Sequence, residues 1–155
     1  MRSRLVLILV LILVTTVSLF TAAPARADDV MIGLRGGYYF DASEPFLGAE
    51  FLVRIAHSVY FNPNFEYVFF DDHYYTVNAD FHYDFPTRGD SYVWAGMGLG
   101  LVAIDPPGSA EQNTDAALNL LFGIGLSRGS LVPYLQAKAI VADNSEFSLG
   151  FGLRF

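Results

Sequence analysis

The histidines of this chain are the side chains best suited to move protons near neutral pH, and each has a carboxylate or a hydroxyl within two residues. His73 follows Asp71 and Asp72, and the turn carrying Ser43 and Glu44 belongs to the same rim in the arrangement derived below. His57 precedes Ser58, and His82 stands between Asp80 and Asp84. A hydroxyl, an imidazole and a carboxylate in line perform acyl transfer, so the group around His73 is a candidate hydrolytic site. A simpler account covers each histidine. His73 sits in a two-aspartate turn, where contact with water explains its polarity. His57 and Ser58 fall on the opposite rim, and His82 lies among charged neighbours as a member of a network.

That network is the larger chemical feature. Arg35, Arg54, Lys138 and Arg154 share one alternation of their segments with Glu50, Glu66, Asp80, Asp84 and Glu146, and His82 lies among them. The connections at 41–45, 71–73, 105–116 and 142–144 hold a second acidic group, Asp41, Glu44, Asp71, Asp72, Asp105, Glu111, Asp115 and Asp143, without Lys or Arg, while the turns of the opposite rim hold Arg88 and Arg128. Such an acidic rim could share divalent cations with phosphates, or it could be a solvated, repulsive edge. None of it has calcium-loop spacing. The chain has no Cys, which excludes disulfides, thiolate metal sites and a lipoprotein anchor. No cofactor and no metal are expected.

The elements that must position these groups are framed by length and composition. At 155 residues the chain is long enough for one domain. Its first stretch reads as a targeting segment: Arg2 and Arg4, the apolar run Leu5 to Phe20, then Ala25-Arg26-Ala27 as a small-x-small cleavage pattern. The apolar run is short for a spanning helix of about 20 residues. The expected organisation is therefore a signal peptide over 1–27 and one domain over 28–155. Removing the peptide leaves six Lys and Arg against sixteen acids, a formal charge of about −10. So acidic a chain is a poor candidate for nucleic acid, whose phosphates demand Lys and Arg.

After Ala27 the pattern is alternation with a period of two, the mark of strands with one apolar and one wet face. Eight such runs follow one another: Val30–Phe40, Phe46–Ile55, Val59–Phe70, Tyr74–Phe85, Tyr92–Ile104, Ala117–Leu126, Leu131–Val141 and Ser145–Phe155. In the fourth, Tyr75, Val77, Ala79, Phe81, Tyr83 and Phe85 oppose Thr76, Asn78, Asp80, His82 and Asp84. In the last, Phe147, Leu149, Phe151, Leu153 and Phe155 oppose Glu146, Ser148, Gly150, Gly152 and Arg154. The longest connection is expected over 105–116. Runs of about ten residues suit tilted membrane-spanning strands. Short connections permit only antiparallel neighbours, and an even number of strands can close and leave no edge.

Volume decides which face is inside. An eight-stranded barrel has an interior just wide enough for side chains to fill. The Phe, Leu and Tyr set would overfill it. The other set carries nearly all the strand glycines and the strand charges, each of which would cost a few kcal/mol in hydrocarbon. The apolar set therefore faces lipid. Arg35, Arg54, Lys138, Arg154, Glu50, Glu66, Asp80, His82, Asp84 and Glu146 face the lumen, a balanced set that reads as a salt-bridge plug. A first hairpin turning on Ala42-Ser43 would put Arg35 across from Glu50, as a pair whose joint removal would be tolerated better than the loss of one side.

These features resemble the small eight-stranded outer-membrane β-barrels, the OmpX type and the membrane domain of OmpA: the signal peptide, eight alternating strands, Gly-rich inward faces and the terminal Leu153-Arg154-Phe155. The resemblance covers 28–155. It implies an all-β, antiparallel up-and-down transmembrane barrel in the outer membrane of a Gram-negative bacterium. It also implies contact with the lipid bilayer and lipopolysaccharide, and a monomer. Phe151, Leu153 and Phe155 would form the signal read by the barrel assembly machinery. Short outer loops speak against adhesion, and a chain ending at Phe155 offers no peptidoglycan-binding module. The expected function is non-enzymatic: a plugged barrel in envelope integrity or surface contact. The alternatives are a narrow channel for small solutes, porin-like, and a lipid A-modifying hydrolase of the kind some such barrels are.

Overall fold

The computed structural model describes residues 30–69, 73–85, 87, 89–105, 113–126 and 130–155. The expected signal peptide, 1–27, lies outside the described residues, as do Asp71, Asp72, Arg88, Glu111 and Arg128. Eight strands follow in chain order: β1 Val30–Tyr39, β2 Glu44–Ala56, β3 Val59–Val68, β4 His73–Phe85, β5 Ser91–Asp105, β6 Asn113–Leu126, β7 Val132–Val141 and β8 Glu146–Arg154. Each pairs with its sequence neighbours and β8 returns to β1, so the sheet is a closed antiparallel barrel. The seam runs from Gly33 opposite Arg154 to Tyr39 opposite Ser148. Beyond it, Ile32 and Phe155 exchange both backbone hydrogen bonds, at 3.0 and 2.9 Å.

The alternation sorts the side chains as volume requires. Along β5, Met97 and Leu99 are 62% and 65% exposed on the outer wall, while Trp94 is fully enclosed. Along β8, Phe147, Leu149, Phe151, Leu153 and Phe155 are exposed, whereas Ser148, Gly150, Gly152 and Arg154 are buried. This apolar outside and polar inside inverts a water-soluble barrel and is the arrangement hydrocarbon selects.

Two local features show how the sheet tolerates its irregular residues. Pro45 O accepts from Phe69 N, and counting along the β2–β3 register makes Phe51 and Pro63 a pair that should exchange hydrogen bonds. Pro63 has no N–H to give. The side chain of its neighbour Asn62 donates to the Phe51 carbonyl instead, at 2.7 Å. The tight connection at His57-Ser58 holds Ser58 at φ 61°, in the left-handed region, and Ser43 in the first hairpin has φ 59°.

Strand ends differ from the sequence expectation at one place of consequence. β6 begins at Asn113, with Asp115 opposite Val102 and Thr114 opposite Ala103. The connection expected over 105–116 thus loses both of its ends to strand. Its middle, 106–112, lies outside the described residues. Asn and Asp are weak strand formers, so the pattern gave no sign that pairing to β5 would carry the strand this far.

Candidate functional site

The lumen holds the chemistry. At its centre Glu66, on β3, accepts hydrogen bonds from four side chains: Arg35 Nη2 and the Tyr39 hydroxyl on β1, Thr76 Oγ1 on β4 at 3.3 Å, and Lys138 Nζ on β7 at 2.5 Å. One carboxylate thereby ties three other strands across the barrel. Glu50, on β2, accepts from Arg154 Nε at 2.7 Å, Asn62 Nδ2 at 3.1 Å and Arg35 Nη1 at 3.4 Å. Asp80, on β4, accepts from Asn64 and Asn119, each at 2.8 Å. Asn64 Oδ1 in turn receives Arg35 Nη2 at 2.5 Å and Asn78 at 2.9 Å.

All of these groups are buried. Three cations, Arg35, Lys138 and Arg154, stand against three carboxylates, Glu50, Glu66 and Asp80. Buried charge is tolerable only when paired and hydrogen-bonded, and here every carboxylate has two or more donors.

Glycine makes the crossing contacts possible. Asn119 on β6 reaches over β5 to Asn78 Oδ1 and Asp80 Oδ1 on β4. A Cβ at Gly98 would come within 2.1 Å of Asp80 Oδ1, and one at Gly100 within 2.5 Å of Asn78 Oδ1. On these two inward positions of β5, any side chain would occupy the space the polar groups use.

The two ends of the lumen are closed differently. Toward the connections at 40–43 and 142–145, Tyr39, Phe46, Val68, Tyr74, Ala117 and Ile140 form an apolar cluster. Toward the barrel end that holds Ile32 and Phe155 lies a run of rings. Tyr60 stacks on His82 at 5.4 Å, His82 meets Trp94 at 5.5 Å, and Trp94 meets Tyr92 at 5.3 Å and Tyr134 at 5.7 Å. The Arg154 guanidinium lies over Tyr134 at 4.1 Å and over Trp94 at 5.1 Å.

Of the ten groups expected in the lumen, Arg35, Glu50, Glu66, Asp80, Lys138 and Arg154 come together in this centre, His82 lies among the rings, and three take positions at the rims. Arg54, near the end of β2, is exposed and donates to the Tyr60 hydroxyl at 3.1 Å. Glu146, opening β8, is half-buried and accepts from Ala42 N at 3.2 Å. Asp84 is half-buried and takes His82 Nδ1 at 3.0 Å. Alternation states the direction of a side chain and not its depth, and at a strand end an inward residue meets water.

The expected Arg35–Glu50 pair is part of a larger set. At 3.4 Å it is the longest of Glu50's contacts, and Arg154 is the nearer partner. Tyr39, Asn62, Asn64, Thr76, Asn78 and Asn119 complete the centre without having been singled out. They stand on the same inward alternation as the charges, which was the available signal.

The candidate hydrolytic residues do not assemble among the described side chains. His73 opens β4 opposite Asp105, while Asp71 and Asp72 lie outside the described residues. Ser43 Oγ bonds its own turn at Phe40 O, 3.3 Å away. His82 has an acid on Nδ1, but its buried Nε2 has no hydrogen-bond partner, where a triad would put the nucleophile's hydroxyl. Among the described residues no group of three or more His, Asp or Glu gathers to hold a metal.

This fold, with its inverted polarity, is that of the small eight-stranded outer-membrane β-barrels. Among solved structures the chain is similar to the N-terminal β-barrel domain of Pseudomonas aeruginosa OprF, at 18% identity and a TM-score of 0.71, over 82% of this chain and 96% of that one. It is similar to Neisserial surface protein A at 17% identity and 0.59, over 81% and 95%. It is also similar to the outer membrane enzyme PagL, at 12% identity and 0.51, over 79% and 97%. No protein-family model matches the chain. No curated protein matches it in sequence.

Proposed function

We propose that this protein is a non-enzymatic barrel of the bacterial outer membrane whose plugged lumen makes it a structural or surface-contact element of the envelope. The observation that carries this reading is the neutral, hydrogen-bonded centre. It crosses the lumen from Arg35 on β1 to Lys138 on β7 and Asn119 on β6, with an apolar cluster beyond it. A permeating ion would have to break contacts to Glu66 and then cross a dry layer.

PagL is an enzyme on the same fold, so the non-enzymatic reading rests on the side chains themselves. Here His82 has no hydroxyl partner at Nε2, and its ring is enclosed between Tyr60 and Trp94. The outer wall's exposed Phe and Leu suit a lipid bilayer, and the acidic connections at Asp41 and Asp143 suit the lipopolysaccharide leaflet only with divalent cations between them. In this reading the termini face the periplasm, the barrel is a monomer, and Phe151, Leu153 and Phe155 are the part the assembly machinery reads.

Planar bilayers test the central claim. The purified barrel is expected to give no stable single-channel steps, and regular steps would replace the plug by a narrow channel.

A further inference from the structure

The charged centre does not fill the lumen everywhere. A cavity of about 10 Å³ is lined by Arg35, Glu66, Tyr134, Gln136, Lys138 and Ser148, with Phe46 and Gly150 beside them. That is about the smallest space that holds one water molecule. Three of its lining side chains carry buried polar atoms without a partner: the Tyr134 hydroxyl, which can donate or accept, Nε of Arg35, which can only donate, and Oε1 of Gln136, which can only accept. All three residues are at least nine-tenths buried, at 3%, 4% and 5% exposure.

The register explains why Arg35 and Gln136 do not meet directly. Gly150 on β8 stands opposite Gln136 on β7 and opposite Gly37 on β1, while Arg35 on β1 stands opposite Gly152. A strand bearing only glycine at these inward positions thus separates an unpaired donor from an unpaired acceptor.

We infer that this cavity is a binding site for a single structural water, which accepts from Arg35 Nε and donates to Gln136 Oε1. Size excludes larger solutes. Charge excludes an ion, because the three buried cations already match the three buried carboxylates, and an added ion would leave one charge over. The water joins β1 to β7 across β8 and completes the hydrogen bonding of Arg35, whose other nitrogens are held by Glu66, Asn64 and Glu50.

This inference rests on the closed lumen proposed above, since only an enclosed water is long-lived. Magnetic relaxation dispersion of the solvent oxygen nucleus counts such waters in the folded barrel in detergent micelles. Gln136→Leu removes the acceptor. Gly150→Ala fills the space, with its new Cβ 3.2 Å from the Phe46 ring and no other atom nearer than 3.7 Å. Each variant is expected to hold one long-lived water fewer than the wild type. Equal dispersion in wild type and Gln136→Leu overturns the site, and that comparison decides the matter where Gly150→Ala fails to fold. Single-channel steps from the wild type would instead overturn the closed lumen, so the two failures are told apart.

Discussion

At the end of the lumen nearest the connections at 40–43 and 142–145, Tyr39, Phe46, Val68, Tyr74, Ala117 and Ile140 exclude water by apolar packing. At the end nearest Ile32 and Phe155, the same cross-section is filled by Trp94, Tyr134, Tyr92, His82 and Tyr60, with the Arg154 guanidinium against two of the rings. The difference follows from what each end must join to the charged centre. The apolar end meets it through one bifunctional side chain: the Tyr39 ring packs on Phe46 at 5.1 Å while its hydroxyl donates to Glu66. The aromatic end must house a cation, because Arg154 is the nearer counter-charge of Glu50. Ring faces suit a partly desolvated guanidinium, and aliphatic side chains would leave it unmatched. The apolar end can thus be repacked at the cost of lost packing alone. The centre and the aromatic end depend on particular partners.

That contrast is breakable, and the sharpest test lies at the centre. Glu66→Leu leaves Arg35 without its closest carboxylate and Lys138 without any carboxylate partner, and removing one side of a buried ion set costs about 3–5 kcal/mol. The folded band on unboiled gels is expected to be lost at a markedly lower temperature. A loss no greater than that of a methyl deletion at the apolar end would mean that the centre is hydrated. The double variant Arg35→Met with Glu50→Leu should not recover stability. Arg154 would still face the missing Glu50, and Glu66 would keep only Lys138 as a cation.

Gly98→Ala comes next. Its methyl would meet Asp80 Oδ1 and the Ala79 carbonyl, at 2.1 and 2.6 Å, and overpacking of this kind costs about 1–3 kcal/mol. Urea titration of barrels folded into vesicles measures this, and an unchanged midpoint would show that Asn119 does not depend on the gap in β5. Arg154→Lys keeps the charge but loses the planar face over Tyr134 and Trp94, a loss of about 0.5–2 kcal/mol. If Lys serves as well as Arg in the same titration, the rings are only filling space. The smallest effect belongs to Ile140→Val in the apolar cluster, about 0.5–1.5 kcal/mol. A larger drop there than for Arg154→Lys would reverse the comparison between the two ends.

The alternation of Phe147, Leu149, Phe151, Leu153 and Phe155 against Ser148, Gly150, Gly152 and Arg154, repeated through eight runs, is enough by itself to determine an eight-stranded closed sheet and its lipid-facing side. Strand direction has a period of two, and the volume of a small barrel leaves only one set that fits inside. The sign balance of the inward residues was legible for the same reason. What only the tertiary structure decided is depth and partnership. Arg54, Asp84 and Glu146 share the inward phase of Arg35 and Glu66, yet they stand at rims, because phase is a property of one strand and depth depends on how eight strands are staggered. Arg154 is 104 residues from Glu50 in the chain and its nearer partner in space, and Asn119 crosses β5 only because Gly98 and Gly100 leave it room. Such contacts between non-neighbouring strands depend on closure of the sheet, a relation no single run of residues carries.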